Sequence, residues 1–228
     1  MRGALARRHE GVKRLTPVRV GRMESETMWG DGWMTLATQA LGRPTLLRQA
    51  GLVLAGTILI AVSAKVAVPF WPVPLTMQPL AVMLVGFALG RRLGGLTVVA
   101  YLLEGLAGLP VFSTTTPAGP AAFAGPTAGF LIGFAAMAYV CGLGAERFGG
   151  RVVPLALTAL ASVAVLYAFG VAWPLGIAAA LGITAGWATL PLGAVFKGFV
   201  LPFVLGDVLK SVFAALIVAG GMKALRRA

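Results

Sequence analysis

Cysteine occurs once in these 228 residues, as Cys141, and histidine once, as His9 in a basic amino-terminal stretch. One cysteine excludes a disulfide framework and a cysteine-built metal site within the chain. No G-x-x-x-x-G-K-[ST] loop occurs, so the chain does not hydrolyse ATP by that route. H-E-x-x-H and G-x-S-x-G are also absent, which removes the usual hydrolase constellations. Neither catalytic residues, metal ligands nor a cofactor are expected. Charge is scarce as well: 11% of residues are charged, against about 25% in a soluble domain. That is too little to cover a water-facing surface.

What fills the chain is apolar. Hydrophobic residues make up 58% and mean hydropathy is +0.90. A hydrocarbon core of about 30 Å takes ~20 apolar helical residues to cross. The stretch from Leu46 to Met222 therefore has room for about six spans with short connections. Residues 43–228 read as one all-α integral membrane domain of six transmembrane helices. Residues 1–42 read as a basic, disordered extension, which lacks the apolar h-region of a secretory signal.

The net charge of +12 raises a nucleic-acid reading, which the placement of the cations excludes. Nine of the 19 stand at or before the first span: Arg2, Arg7, Arg8, Lys13, Arg14, Arg19, Arg22, Arg43 and Arg48. Arg91–Arg92, Arg147 with Arg151, and Lys223 with Arg226 and Arg227 mark three further breaks. Placing all four segments in the cytoplasm satisfies the positive-inside rule. It also requires an even number of spans. The expectation is a multi-pass protein of the cytoplasmic (inner) cell membrane with both termini inside.

Spans are expected over 46–66, 80–90, 94–109, 127–145, 152–181 and 203–222. Between the first two lies Val68–Pro79, with four prolines in twelve residues, which no regular helix accommodates. Pro110–Pro126 is uncharged and rich in proline, glycine and hydroxyls. Irregular backbone near a membrane persists where it is buried in protein or lines a cavity, so this segment reads as a lid. On the first span Gly51, Ala55, Gly56, Ile60 and Ala64 form a small-residue face. It suits helix packing within the chain or docking of a partner subunit.

Ionisable groups inside spans are costly and mark function. Asp207 and Lys210 stand three apart in an apolar helix and so share a face. They are either a self-satisfied ion pair or a site offering a cation and an acceptor to one ligand. Thr76 and Gln78 supply neutral hydrogen-bonding groups on the Pro-rich loop. Phe112, Phe123 and Phe130 could wall the site. Glu146, beside Arg147, reads as a solvated helix end, and the roles of Glu104, Lys65 and Lys197 stay open.

These motifs resemble the BioY family, the biotin-specific S components of energy-coupling factor (ECF) vitamin transporters. The likeness rests on PVPLTMQPLAVMLVGFALGRRLGGLTVVAYLLEGLAGLPVF (Pro72–Phe112), AGPTAGFLIGF (Ala124–Phe134) and LPFVLGDVLK (Leu201–Lys210). It implies the S-component fold and high-affinity biotin binding near the outer surface for uptake across the membrane. Energy would come from a separate ECF module of a transmembrane T subunit and two ATPases. Asp207 and Lys210 match the family's G-D-x-x-K signature, and Thr76 its P-x-T-x-Q position. Lys210 would meet the biotin carboxylate, and Asp207 its ureido N–H groups. The third-to-fourth-helix loop adds contacts in the family, which brings in Phe112, Ser113 and Thr114. This chain departs at Ser113–Thr116, where many members are glycine-rich, and at Phe130, where a tyrosine is common. The alternatives are an S component for another vitamin, which a lysine in the ligand helix opposes for cationic thiamin, and a membrane-embedded enzyme, which the missing catalytic groups oppose.

Overall fold

The computed structural model describes residues 35–41 and 45–226. The expected extension falls, up to residue 34, outside these residues. Leu36–Leu41 form a short helix, α1, whose Leu36 packs beside Gly221.

Among the described residues five helices are long and apolar enough to cross a membrane. They are α2 (Leu46–Lys65), α3 (Gln78–Leu106), α4 (Ala128–Phe148), α5 (Val152–Ala172), which continues to Ala180, and the last long helix (Leu201–Leu225). The second of them is two spans folded on each other. Gly90 breaks the helix at φ 82°, ψ 172°, a left-handed φ that glycine alone adopts readily. Gln78 Nε2 donates to Tyr101 Oη at 2.9 Å. Twenty-three residues of straight helix would hold the two about 34 Å apart, so the halves run antiparallel. A bundle of six helical segments results among the described residues, close to the expected boundaries, with the reversal at Gly90 itself.

Arg91 opens the returning half, and its N–H donates to Glu146 Oε1 at 2.9 Å while its Nε lies 3.2 Å from Oε2. Glu146 is thus no solvated end. Its carboxylate closes the Gly90 turn from α4, supplying an acceptor that the first N–H groups of a helix otherwise lack. Below this clasp α3 and α4 touch through glycine: a Cβ at Gly142 would collide with the backbone of Gly90 and Arg91, and one at Gly86 with Ala138.

In the main core cluster Val82, Phe87 and Tyr101 of α3 meet Met137 and Cys141 of α4, Leu166 of α5 and Met222 of the last helix, and a smaller cluster gathers Ala128, Trp173, Ala178 and Ala188. α2 stands at the margin of the main cluster and leaves Leu54, Ile58 and Val62 more than half exposed. That surface is costly in water and ordinary against lipid.

The Pro-rich stretch after α2 forms a hairpin of two short strands, β1 (Ala67–Val68) and β2 (Leu75–Thr76), antiparallel and in register Ala67 with Thr76. Its prolines fall in and beside the loop, where no ladder N–H is needed. Trp173–Ile177 widens the end of α5 into a π turn, as Pro174, lacking an N–H, requires. Trp173 Nε1 there donates to Gly125 O at 2.9 Å, holding the 110–126 segment against α5. The chain continues through α6 (Ala178–Ala180) and α7 (Leu192–Phe199), whose Val195 and Phe199 are buried while Lys197 is exposed, into α8 (Leu201–Leu225).

Candidate functional site

The amino-terminal ends of α3, α4 and α8 converge with β2, with the 110–126 segment and with the middle of α5. Between them lies a cleft of about 530 Å³ including its open mouth, of which about 40 Å³ is wide enough for solvent. Its walls are apolar: Val73 and Pro79, Phe130, Leu131 and Phe134 of α4, Leu166 of α5, and Phe203 of α8. The Phe130 ring stacks on Phe199 at 6.4 Å between centroids and tilts against Phe203 at 6.2 Å.

The polar groups are few and connected. Asp207 is 2% exposed and the Lys210 side chain 15%. Lys210 Nζ donates to Asp207 Oδ1 at 2.9 Å and to the Thr76 carbonyl at 2.8 Å, binding α8 to the hairpin. Asp207 Oδ2 accepts from Tyr167 Oη at 2.8 Å. An ammonium has three donors, and a carboxylate about four acceptor positions. Lys210 therefore keeps one N–H, and Asp207 at least two lone pairs, beyond the bonds they make here. A donor and an acceptor with spare capacity lie side by side in an apolar cleft.

A second relay starts at Thr76, whose Oγ1 donates to Gln78 Oε1 at 3.2 Å. Gln78 passes to Tyr101, and Tyr101 Oη donates to the Val111 carbonyl at 3.0 Å. Lys65 Nζ, from the end of α2, donates to Phe112 O at 2.6 Å. Lys65 thus serves the backbone of the 110–126 segment, not Glu104, with which it forms no ion pair among the described residues.

Of the residues singled out in the sequence, Asp207, Lys210, Thr76, Gln78, Ser113 and Phe130 line the cleft. Phe112 and Thr114 do not. Phe112 turns inward, edge-on to Tyr101 and Phe123 at 5.5 and 6.0 Å, and fills the space that the missing side chain of Gly105 leaves. Thr114 is exposed. Sequence reasoning missed Tyr167, Thr127, Phe134 and Phe203. Tyr167 carried a signal: a phenol in the otherwise apolar run Val163–Phe169 needs a partner when buried. The other three look like ordinary helix residues until the helices are assembled.

Residues 34–227 match the BioY family. The chain is similar to the biotin transporter BioY of Thermotoga maritima, 38% identical over 161 residues that make up 71% of this chain and 88% of that one. It is similar to the biotin transporter BioY of Rhizobium etli, 38% identical over 160 residues, 67% and 79% of the two chains. Among solved structures it resembles the S component for biotin from an ECF-type ABC transporter. The TM-score is 0.61 at 23% identity, covering 81% of this chain and 95% of that one, a likeness of fold.

Proposed function

Since the chain belongs to the BioY family, we propose that it is the biotin-binding membrane subunit, or S component, through which a cell takes up biotin. It is a multi-pass membrane protein and a substrate-binding transport subunit, not an enzyme. In this reading a transmembrane T subunit and two ATPases supply the energy, and residues 43–228 are the membrane domain that meets them. The observation that carries the ligand reading is the pairing of Lys210 and Asp207 at 2.9 Å inside an apolar cleft.

That spacing changes how biotin fits. The carboxylate and the ureido ring occupy opposite ends of the vitamin, so two groups in contact serve one end of it. A urea offers a C=O acceptor beside N–H donors. Lys210 donating to the carbonyl and Asp207 accepting from a neighbouring N–H is the complementary pattern, with Tyr167 fixing the carboxylate. The thioether ring then lies among Phe130, Phe134 and Phe203. The carboxylate faces the hydroxyls of Ser113, Thr116 and Thr127.

The test compares biotin with its methyl ester on the purified protein in detergent. Losing a buried hydrogen bond to a charged group costs about 1.5–3 kcal/mol, so Lys210→Ala should weaken biotin roughly 10- to 100-fold. The loss should be equal for the ester. A loss confined to biotin would return Lys210 to the carboxylate, and no biotin binding by folded wild type would remove the substrate. Tyr167→Phe should cost less, on the order of tenfold, without changing the ester-to-acid ratio.

A cleft this narrow has to open to admit biotin. The 110–126 segment is its least regular wall, and Lys65 and Tyr101 anchor only its start, at Phe112 and Val111. Gly119 N–H donates to Gly105 O at 2.9 Å and Trp173 holds the far end at Gly125. Opening by residues 113–118, which carry Ser113 and Thr116, therefore leaves all these anchors in place.

Both termini are assigned to the cytoplasm, on the grounds that Arg91, Arg147, Arg151, Lys223 and Arg226 border the ends of the spans remote from the cleft. Single cysteines test this, since Cys141 is fully buried and gives little background. A membrane-impermeant maleimide should label Thr114→Cys on intact cells and Ala224→Cys only after permeabilisation. The reverse pattern would invert the topology.

A further inference from the structure

At the end of α8 remote from the cleft, the chain forms a second concavity with no part in vitamin binding. Lys223 stands thirteen residues beyond Lys210, about 20 Å along the helix. An open groove of about 820 Å³ including its mouth lies there between α8 and the turn that joins α4 to α5. Val152, Leu216, Ala219 and Gly150 form its floor and walls, and the charged groups on it are Lys223 and Arg226. Among the described residues no carboxylate lines it. Neither cation is ion-paired among the described residues, and the nearby Glu146 is committed to Arg91.

Glycine keeps the groove open. A Cβ at Gly150 would press on the Met222 side chain at 3.2 Å, and at Gly149 the nearest neighbour would be Arg226 Nη2, at 3.7 Å. The guanidinium thus stands over a turn without side chains. From this mouth the wall continues onto the apolar surface of α5 and α8, where Val153, Leu157, Val212 and Leu216 are between about two-fifths and two-thirds exposed. Two cations with no ion-pair partner among the described residues, at the end of a span above a lipid-facing apolar seam, complement a molecule with an anionic head and an acyl chain.

We propose that this groove binds an anionic phospholipid, its phosphate between Lys223 and Arg226 and one acyl chain along the seam of α5 and α8. The inference rests on the membrane placement of the helices and is independent of the ligand in the Asp207 cleft.

The test uses the full chain in nanodiscs or detergent and measures retained lipid by native mass spectrometry, with phosphatidylglycerol against phosphatidylcholine. The double variant K223Q/R226Q is set beside R48Q/R92Q, which removes the same charge elsewhere. Each cation near a membrane surface contributes about fivefold, so K223Q/R226Q should retain phosphatidylglycerol roughly 30-fold less well. R48Q/R92Q should retain it as wild type does, and neither pair should change biotin binding. Equal losses in both pairs would mean a diffuse positive surface and overturn the site. So would equal retention of the two lipids, or displacement of the lipid by glycerol phosphate at comparable concentration. A dimer dissolved by K223Q/R226Q with lipid retention unchanged would assign the groove to a second copy of the chain.

Discussion

Replacing Asp207 with alanine is expected to destabilise the protein by about 3–5 kcal/mol, because it strands a largely buried ammonium without its carboxylate. Lys210 would keep the Thr76 carbonyl, and Tyr167 would lose its acceptor altogether. Removing both charges should be much less harmful. Asp207→Ala with Lys210→Met replaces the pair by apolar side chains in an apolar cleft, which in other proteins is often neutral. Thermal unfolding in detergent, followed by size-exclusion fluorescence, should therefore rank wild type and the double variant close together and Asp207→Ala well below. Biotin binding should rank them differently, with both variants failing. A pair kept only to secure the fold predicts that the double variant is either as unstable as the single or still binds. The two measurements together separate a structural ion pair from a ligand site.

The spans and the ion pair were legible because each is a local pattern. An apolar run of about twenty residues identifies itself, and Asp207 and Lys210 share a face through helical spacing alone. The charge breaks at Arg91, Arg147 and Lys223 then ordered the spans. What the sequence hid depends on contacts between distant segments. Tyr167 meets Asp207 across forty residues, and Glu146 reaches the N–H of Arg91 across fifty-five. Nothing near Glu146 in the chain distinguishes it from a solvated end. Phe112 misled for the same reason. An aromatic in a loop beside a site reads as a wall until Gly105, seven residues earlier on the facing helix, offers it a hole. The position of the α3 reversal at Gly90 depended on a left-handed φ, whereas the Arg91–Arg92 pair advertised only that a turn was near.

Gly142→Ala should be among the most disruptive single-methyl changes in the membrane domain. Its Cβ would collide with main-chain atoms of Gly90 and Arg91, and backbone at a tight reversal cannot swing aside as a side chain can. Overpacking of a close contact costs up to about 3 kcal/mol and occasionally more. The cost spreads, because Glu146, one turn further along α4, must still reach Arg91 to hold the reversal. α3 and α4 also carry opposite walls of the cleft, with Gln78 on one and Phe130, Leu131 and Phe134 on the other. Parting them at one end tilts those walls about 18 Å away, the length of twelve helical residues. Gly142→Ala is therefore expected to lower the unfolding midpoint strongly and to weaken biotin binding in the fraction that folds. Gly95→Ala is the matched control. It lies in α3 with nothing within 4 Å of the added carbon, and helix propensity favours alanine there by about 1 kcal/mol. Equal behaviour of the two variants would mean that the α3–α4 crossing yields to a methyl group, and that its close approach does not set the width of the cleft.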